Sequence, residues 1–523
     1  MGTRGQPWTG SPGVTESLAS LKARQRSQDK KRAGRPLGIR LKPEPGEPPP
    51  NGKAKGGEGS EASSGSEDGG TATKLQTLAA LDQRSGQSAI SPKSSFSAGT
   101  SFLGAQVSES GFVPPDSMGS VGPTQVLVSV NGRIKVFDKS GTLGGLNVSD
   151  STFWSPVDAG SEPTDPGVEY DRLTGRWIVS AVNTVGSDNR VMLAVSSGST
   201  ITNSSSFTFF QFTQSTPPPA TDNGLFADYP QLGVDANAVY VGVNQFSGNS
   251  FAHSTAFVIR KSSVLGAGPI VVTAFRNLTG GSGGQGPDSP QPAQDMAPSV
   301  GEGYIVGPDN QLANRIDVLR ITNPGATPSI SSNLMVTVPA TAAPLTVPVK
   351  GGHHNTDALD ERLFEAMIGR APDGSLSLWT AHNIRVNSSG TGSSTGDRDG
   401  SRWYQLGTLS TTPSLVQSGT LFDSAALSPR FFWIPSIAMN GQGNASLNTS
   451  VGGSNEFAEI ASSGHLDSDS IGITEPPDTI QTSSNSYNIG LSSGVLRWGD
   501  YSQTVVDPTD NMTFWTFQEY TNA

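Results

Sequence analysis

The chain of 523 residues contains no cysteine. That one absence excludes a disulfide framework, a thiolate metal site and a cysteine nucleophile. Apolar residues are also scarce, 34% against roughly 45–50% in an ordinary globular chain, and aromatic residues make up only 7%. No run of about 18 apolar residues occurs, so no membrane-spanning helix is expected. The first thirty residues lack the continuous apolar stretch of a secretory signal. What the chain has instead is turn punctuation, 63 Gly and 37 Pro, which favours an all-β class.

Charge is unevenly divided. Residues 1–95 carry 15 Lys and Arg against 9 Asp and Glu, leaving 19 basic and 36 acidic residues in the remainder. A front segment of +6 thus precedes a body of −17. An acidic body repels phosphates, so nucleic acid is not the expected ligand, whereas a cation is compatible. Residues 1–95 are rich in Gly, Pro, Ser, Glu and Lys and hold too little apolar surface to offset their chain entropy. They are expected to form a disordered basic tail, with one short helical spacing at Leu75, Leu78 and Leu81.

From Phe96 onward the texture changes. A stretch of strand, tight turn and strand recurs seven times, with its first inward apolar position at Val121, Val168, Leu232, Val300, Met367, Ile437 and Thr504. Gly167-Val-Glu-Tyr-Asp-Arg-Leu-Thr-Gly-Arg-Trp177 is a clear copy. The turn residues tolerate unusual backbone angles and the flanks bury one face, which is what a hairpin requires. One hairpin every 65 residues or so, each followed by a second strand pair, is the spacing of propeller blades with generous loops. The expectation is a seven-bladed β-propeller over residues 96–523, preceded by the disordered tail. Because the last hairpin runs almost to the C-terminus, residues 96–113 are expected to supply outer strands to the final blade and so close the ring.

The residues Arg497-Trp-Gly-Asp-Tyr-Ser502, Val506-Asp-Pro-Thr-Asp510 and Phe514-Trp-Thr-Phe-Gln-Glu-Tyr520 resemble the closing signature of a group of bacterial seven-bladed propeller proteins of uncharacterised activity. Pro114 to Pro123, Phe226-Ala-Asp-Tyr-Pro230 and Arg402-Trp-Tyr-Gln-Leu406 are similar to other parts of that group. The resemblance implies the fold and an exported protein, and says almost nothing of activity.

Candidate site residues follow from the repeat. Asp116, Asp165, Asp228, Asp295 and Asp500 each precede the inward apolar position by three to five residues, which places them at equivalent points where innermost strands begin. Converging carboxylates there could form an acidic ring at a channel mouth, with Tyr229 and Tyr501 beside it, able to attract Ca²⁺ or a polycation. Asp228 and Asp500 are the metal candidates of that ring. The competing account has each Asp accept backbone N–H bonds from the next blade and lock blade to blade. A second metal candidate is His353, His354 and Asp357, whose donors suit a transition metal but need a loop to converge. Tryptophans in the repeat region are expected to pack between sheets.

The expected function is a non-catalytic binding or scaffold propeller, monomeric, extracellular or at the cell surface, taking a glycan or protein ligand, with calcium as a candidate cofactor. The first alternative is a sialidase-like glycan-cleaving enzyme on the same ring, for which Arg172, Arg190, Arg320, Arg370, Tyr229 and Tyr501 are candidates without any spacing that selects them. The second is an intracellular protein-interaction scaffold, which would place the chain in the cytoplasm.

Overall fold

The computed structural model describes residues 2–32, 38–41, 95–158, 160–184, 189–297 and 301–522. Within them the repeat forms six antiparallel sheets that follow one another along the chain. Blade 1 runs from Met118–Val121 to Leu143–Val148, blade 2 from Pro163–Asp171 to Ser206–Thr213, and blade 3 from Phe226–Val234 to Val271–Phe275. Blade 4 spans Gln291–Pro292 to Leu334–Thr337, blade 5 Glu365–Arg370 to Ser414–Leu421, and blade 6 Phe431–Met439 to Asp478–Gln481.

The propeller therefore has six blades, not seven. The seventh copy of the repeat forms only a two-stranded hairpin, Gln503–Val506 with Phe514–Phe517. Its first strand packs between the innermost strands of blades 6 and 1, so the innermost strands contact one another in a closed cycle. Residues 96–113 do not complete this hairpin by strand pairing. They cover it with side chains: Phe96 packs on Phe514 with ring centroids 6.0 Å apart and Phe102 on Trp515 at 6.3 Å. Phe112–Val113 pairs in parallel with Arg40–Leu41 instead. Aromatic cover protects the hairpin face at the cost of no ladder, which a segment so rich in Ser and Gly could not sustain.

Inside each blade the turns use the expected chemistry. The Asp235 carboxylate accepts the N–H groups of Asn237 and Ala238 at 2.6 and 2.7 Å, and Asn440 accepts that of Gln442 at 2.9 Å before Gly443 turns the chain at φ +87°. Between blades the core is aromatic and aliphatic. Trp177, Trp379, Trp403 and Trp433 are among the largest fully buried side chains, and Trp379 stacks on Trp403 at 5.6 Å. The packing expectation for tryptophan holds, with Trp515 only half buried.

The expectation of a disordered front segment is corrected for residues 2–32. Thr3–Arg4 pairs with the outer part of blade 4, Trp8–Thr9 with the outer strand of blade 3, and Val14–Ser17 with the outer strand of blade 2. The arm thus runs backwards across three consecutive blade edges. It ends in a helix, Leu18–Arg32, whose Leu18 and Leu21 are fully buried and whose last turn carries Lys30, Lys31 and Arg32, favourably placed on the helix dipole. Its order comes from edge pairing, where main-chain hydrogen bonds need no apolar composition. Residues 42–94, including the helical spacing at Leu75 to Leu81, lie outside the described residues.

Candidate functional site

Every innermost strand enters the ring at the same end, so the residues that start these strands gather at one mouth and those that finish them at the other. The two mouths differ completely.

At the entry mouth the structure brings together Asp116, Asp165, Asp228, Tyr229, Asp500 and Tyr501, and none of the six is more than 4% exposed. They are inside the protein, not on an open acidic ring. The backbone explains how they arrive there. The innermost strands of blades 2, 3 and 6 carry a β-bulge at Thr164/Gly167, Asp228/Gln231 and Trp433/Ser436. Within those bulges Asp165, Tyr229 and Ile434 adopt φ of 57°, 53° and 51°, as Asp116 and Ser289 do at 50° and 47° just before the strands of blades 1 and 4. A β-branched residue such as Ile434 takes that conformation only when its surroundings impose it.

In three of the five an asparagine at or near the end of the second strand of the preceding blade holds the N–H. Asn131 Oδ1 accepts the Asp165 N–H at 3.2 Å, Asn244 that of Ser289 at 3.0 Å, and Asn383 that of Ile434 at 2.9 Å. In a fourth case Asp165 itself accepts the Tyr229 N–H at 3.2 Å, and in the fifth the Asn131 amide donates to the Asp116 carboxylate at 2.5 Å. The C-terminal segment joins the same network: Asp116 Oδ1 accepts the Asp500 N–H at 2.9 Å, and Tyr229 donates to the Asp500 carbonyl at 3.2 Å. Arg497 forms ion pairs with Asp500 and, at 3.0 Å, with Asp357. These contacts fit the account in which the acids lock blade to blade.

The electrostatics are those of a buried acidic cluster in which Arg497 is the ion-pairing cation. Burial first, and then the charge of Asp165, push Asp116 up to about 7, against the pull of Arg497. Glu519 is pushed up by burial and by Asp116 and Asp500. Two tyrosines seal the cluster, with Tyr229 and Tyr501 ring centroids 4.9 Å apart and the Arg362 guanidinium 4.3 Å from the Tyr229 ring.

Asp295 does not belong to this group. The inner strand of blade 4 is Gln291–Pro292, so Asp295 follows its strand where the other acids precede theirs, and it comes out at the opposite mouth. Val300, the inward position expected for that repeat copy, lies outside the described residues. Nor do His353, His354 and Asp357 converge: both histidines are exposed on a loop, while Asp357 is buried against Arg497. Among the described residues no group of three or more His, Asp or Glu side chains is arranged to hold a metal ion. No helix among them is long and apolar enough to cross a membrane.

The exit mouth is open. A cavity of about 260 Å³ lies on the axis, lined by residues of blades 1, 2, 5 and 6, of the segment that follows the innermost strand of blade 4 and of the closing hairpin. Glu169 and Glu365 form its deep part, and Arg172 and Arg370 also line it. Gln503 donates to Glu169 and to the Val168 carbonyl, and the Thr504 N–H donates to Glu365 at 3.0 Å. Burial drives both carboxyls well above the usual range; for Glu169 the charge of Glu365 adds to the effect, which places the pair within mutual electrostatic reach. Nearby, Asp295 is pushed up to about 6, chiefly by burial, with Arg370 acting against it.

Of the arginines considered from sequence, Arg172 and Arg370 reach this cavity. Arg190 instead pairs with Asp158 at 3.2 Å, and Arg320 donates to the Leu409 carbonyl at 3.1 Å. Sequence reasoning missed Glu169 and Glu365. The available signal was an acid inside the innermost strand, one residue past or two before the inward apolar position of its repeat copy.

No family model matches the chain, and no curated protein does. Solved structures are similar to it only at low identity and low TM-score. A neuraminidase-like protein from A/bat/Guatemala/164/2009 is 10% identical, covers 68% of this chain and 91% of its own, and superposes with a TM-score of 0.36. An exo-beta-1,3-galactanase from Clostridium thermocellum is 11% identical over 68% of this chain and 74% of its own, with a TM-score of 0.31. A thermostable family-43 glycoside hydrolase is 14% identical over 58% and 92%, at 0.30. At these values the likeness carries nothing about activity.

Proposed function

We propose that this propeller is a non-catalytic binding module that takes a polar, saccharide-like ligand at the exit mouth. The observation that carries the reading is the axial cavity itself, where polar and apolar side chains from most of the ring converge on one concave space. Its volume approaches the roughly 300 Å³ at which small-ligand sites begin. Ser120, Asn440 and Thr504 offer hydrogen bonds, while Met367 and Met439 offer apolar surface, the mixture that a sugar ring requires. The calcium expected at the entry mouth is separate from this reading; there Asp165 and Asp116 accept the Tyr229 and Asp500 N–H groups, and Asp500 pairs with Arg497.

The test is a glycan array run with and without a chelator, repeated with Met367→Trp, which fills the cavity. Binding that survives chelation and vanishes in the filled variant supports the reading. Binding that persists in the filled variant removes the cavity from it.

A second reading, glycan hydrolysis, is favoured by one observation: two buried carboxyls face the same cavity, the minimum equipment for acid–base cleavage of a glycosidic bond. Release of reducing ends from any bound glycan would replace the binding reading with this one.

A further inference from the structure

Resting on the reading above, the geometry points to an anionic oligosaccharide as the ligand of the axial cavity, its hydroxyls on Glu169 and Glu365 in the depth and its carboxylate or sulfate on Arg172 and Arg370 at the rim. The strands set the depth. Glu365 opens the strand Glu365–Arg370 and Arg370 closes it, so the two stand five residues, about 16 Å, apart along the ring axis. Glu169 lies within Pro163–Asp171 and Arg172 just beyond that strand's end, three residues or about 10 Å further out. Both strands thus present a carboxyl inside and a guanidinium outside.

The charges then differ with depth. Among the described lining residues Glu169 and Glu365 are the only acids, and both are held toward their protonated, uncharged form by burial. A protonated carboxyl both donates and accepts, which suits a hydroxyl. Arg172 keeps its charge with a neutral acceptor, the Asn511 amide oxygen at 2.9 Å, although burial weighs against that charge. Asp507 lies near enough to act on Arg172 electrostatically, yet its own carboxylate is engaged by Lys139 at 2.7 Å. A body carrying a strong excess of acid has therefore placed two guanidiniums around this axial cavity, and planar guanidinium forks match carboxylate and sulfate oxygens. The methionines between rim and floor leave room for the apolar faces of the rings.

The experiment uses the full chain in titration calorimetry against three oligosaccharides of equal length: neutral cello-oligosaccharides, carboxylated oligogalacturonates and sulfated heparin-derived fragments. The expected result is one charged series bound at least about tenfold more tightly than the neutral one, the scale of a charge-assisted bidentate contact. Which series wins tells carboxylate from sulfate. Arg172→Gln combined with Arg370→Gln is expected to bring the charged and neutral affinities within about twofold, with an unchanged melting temperature confirming the fold. Equal affinity for neutral and charged series, or a preference that survives both arginine substitutions, overturns the inference while leaving the cavity as a glycan site. Failure of all three series to bind overturns the binding reading with it.

Discussion

The two mouths of one channel show two uses of the same residue types. At the entry mouth, carboxylates, tyrosines and an arginine are sealed from water and spent on each other and on the backbone of neighbouring blades. At the exit mouth, carboxyls, arginines and polar residues line open space. The difference is positional. Residues at the start of an innermost strand meet a bulged neighbour at close range, whereas residues at its end diverge with the twist of the blades and leave a funnel. Acid content alone therefore does not mark a ligand site; what separates the two mouths is whether the acids border open space.

The strongest test of this contrast removes the internal cation of the closed mouth. Arg497→Met leaves Asp357 and Asp500 buried without their partner and is expected to cost about 3–5 kcal/mol in urea unfolding, with ligand binding at the exit mouth intact in the protein that remains folded. A cost near zero would mean that the cluster does not hold the ring together. Next in size is Asn383→Ala, which strips the Ile434 N–H of its acceptor and the Ala358 carbonyl of a donor, for an expected loss of about 1–3 kcal/mol by the same measurement.

The third test concerns pH. Asp116, pushed up to about 7 from its ordinary 3.8, keeps a proton that the unfolded chain releases. Between about pH 4 and 7 the folded state binds the extra proton, so the stability this group contributes is full below the unfolded value and is lost as pH rises through 7. Asp116→Asn should flatten that decline, which for one group reaches at most about 1.4 kcal/mol per pH unit. The difference between wild-type and variant stability curves isolates Asp116 from Asp165, Arg497 and Glu519 around it; parallel curves would refute the assignment. The smallest effect is expected at the open mouth, where Glu169→Gln and Glu365→Gln remove buried acids that favour their neutral form. Melting temperatures at pH 8 should be unchanged or raised, whereas glycan affinity falls. A large drop in melting temperature would make these carboxyls structural after all.

Much of the architecture was legible in sequence because a propeller is built from periodic hairpins. Alternation and Asp- or Asn-containing turns announce each hairpin wherever it lies. The blade count was not legible, since the seventh hairpin reads like the others and only the ring shows that residues 96–113 add no strand to it. The grouping of Asp116, Asp165, Asp228 and Asp500 was also readable, because equivalent repeat positions converge on an axis. Asp295 precedes the apolar position Val300 in sequence yet follows the innermost strand Gln291–Pro292, so local spacing assigns it to the wrong mouth. The riveting asparagines Asn131, Asn244 and Asn383 recur at or near the ends of second strands, a signal present in the sequence itself.

By itself the sequence determined the class, the repeat and the absence of thiol chemistry, since these depend on composition and local periodicity. Tertiary structure decided the rest. It ordered a front segment poor in apolar residues by lending it three blade edges, sealed one mouth by matching bulges to asparagines, and left the other open with two carboxyls in its depth. Each of these depends on distances between residues far apart in the chain, which no local pattern encodes.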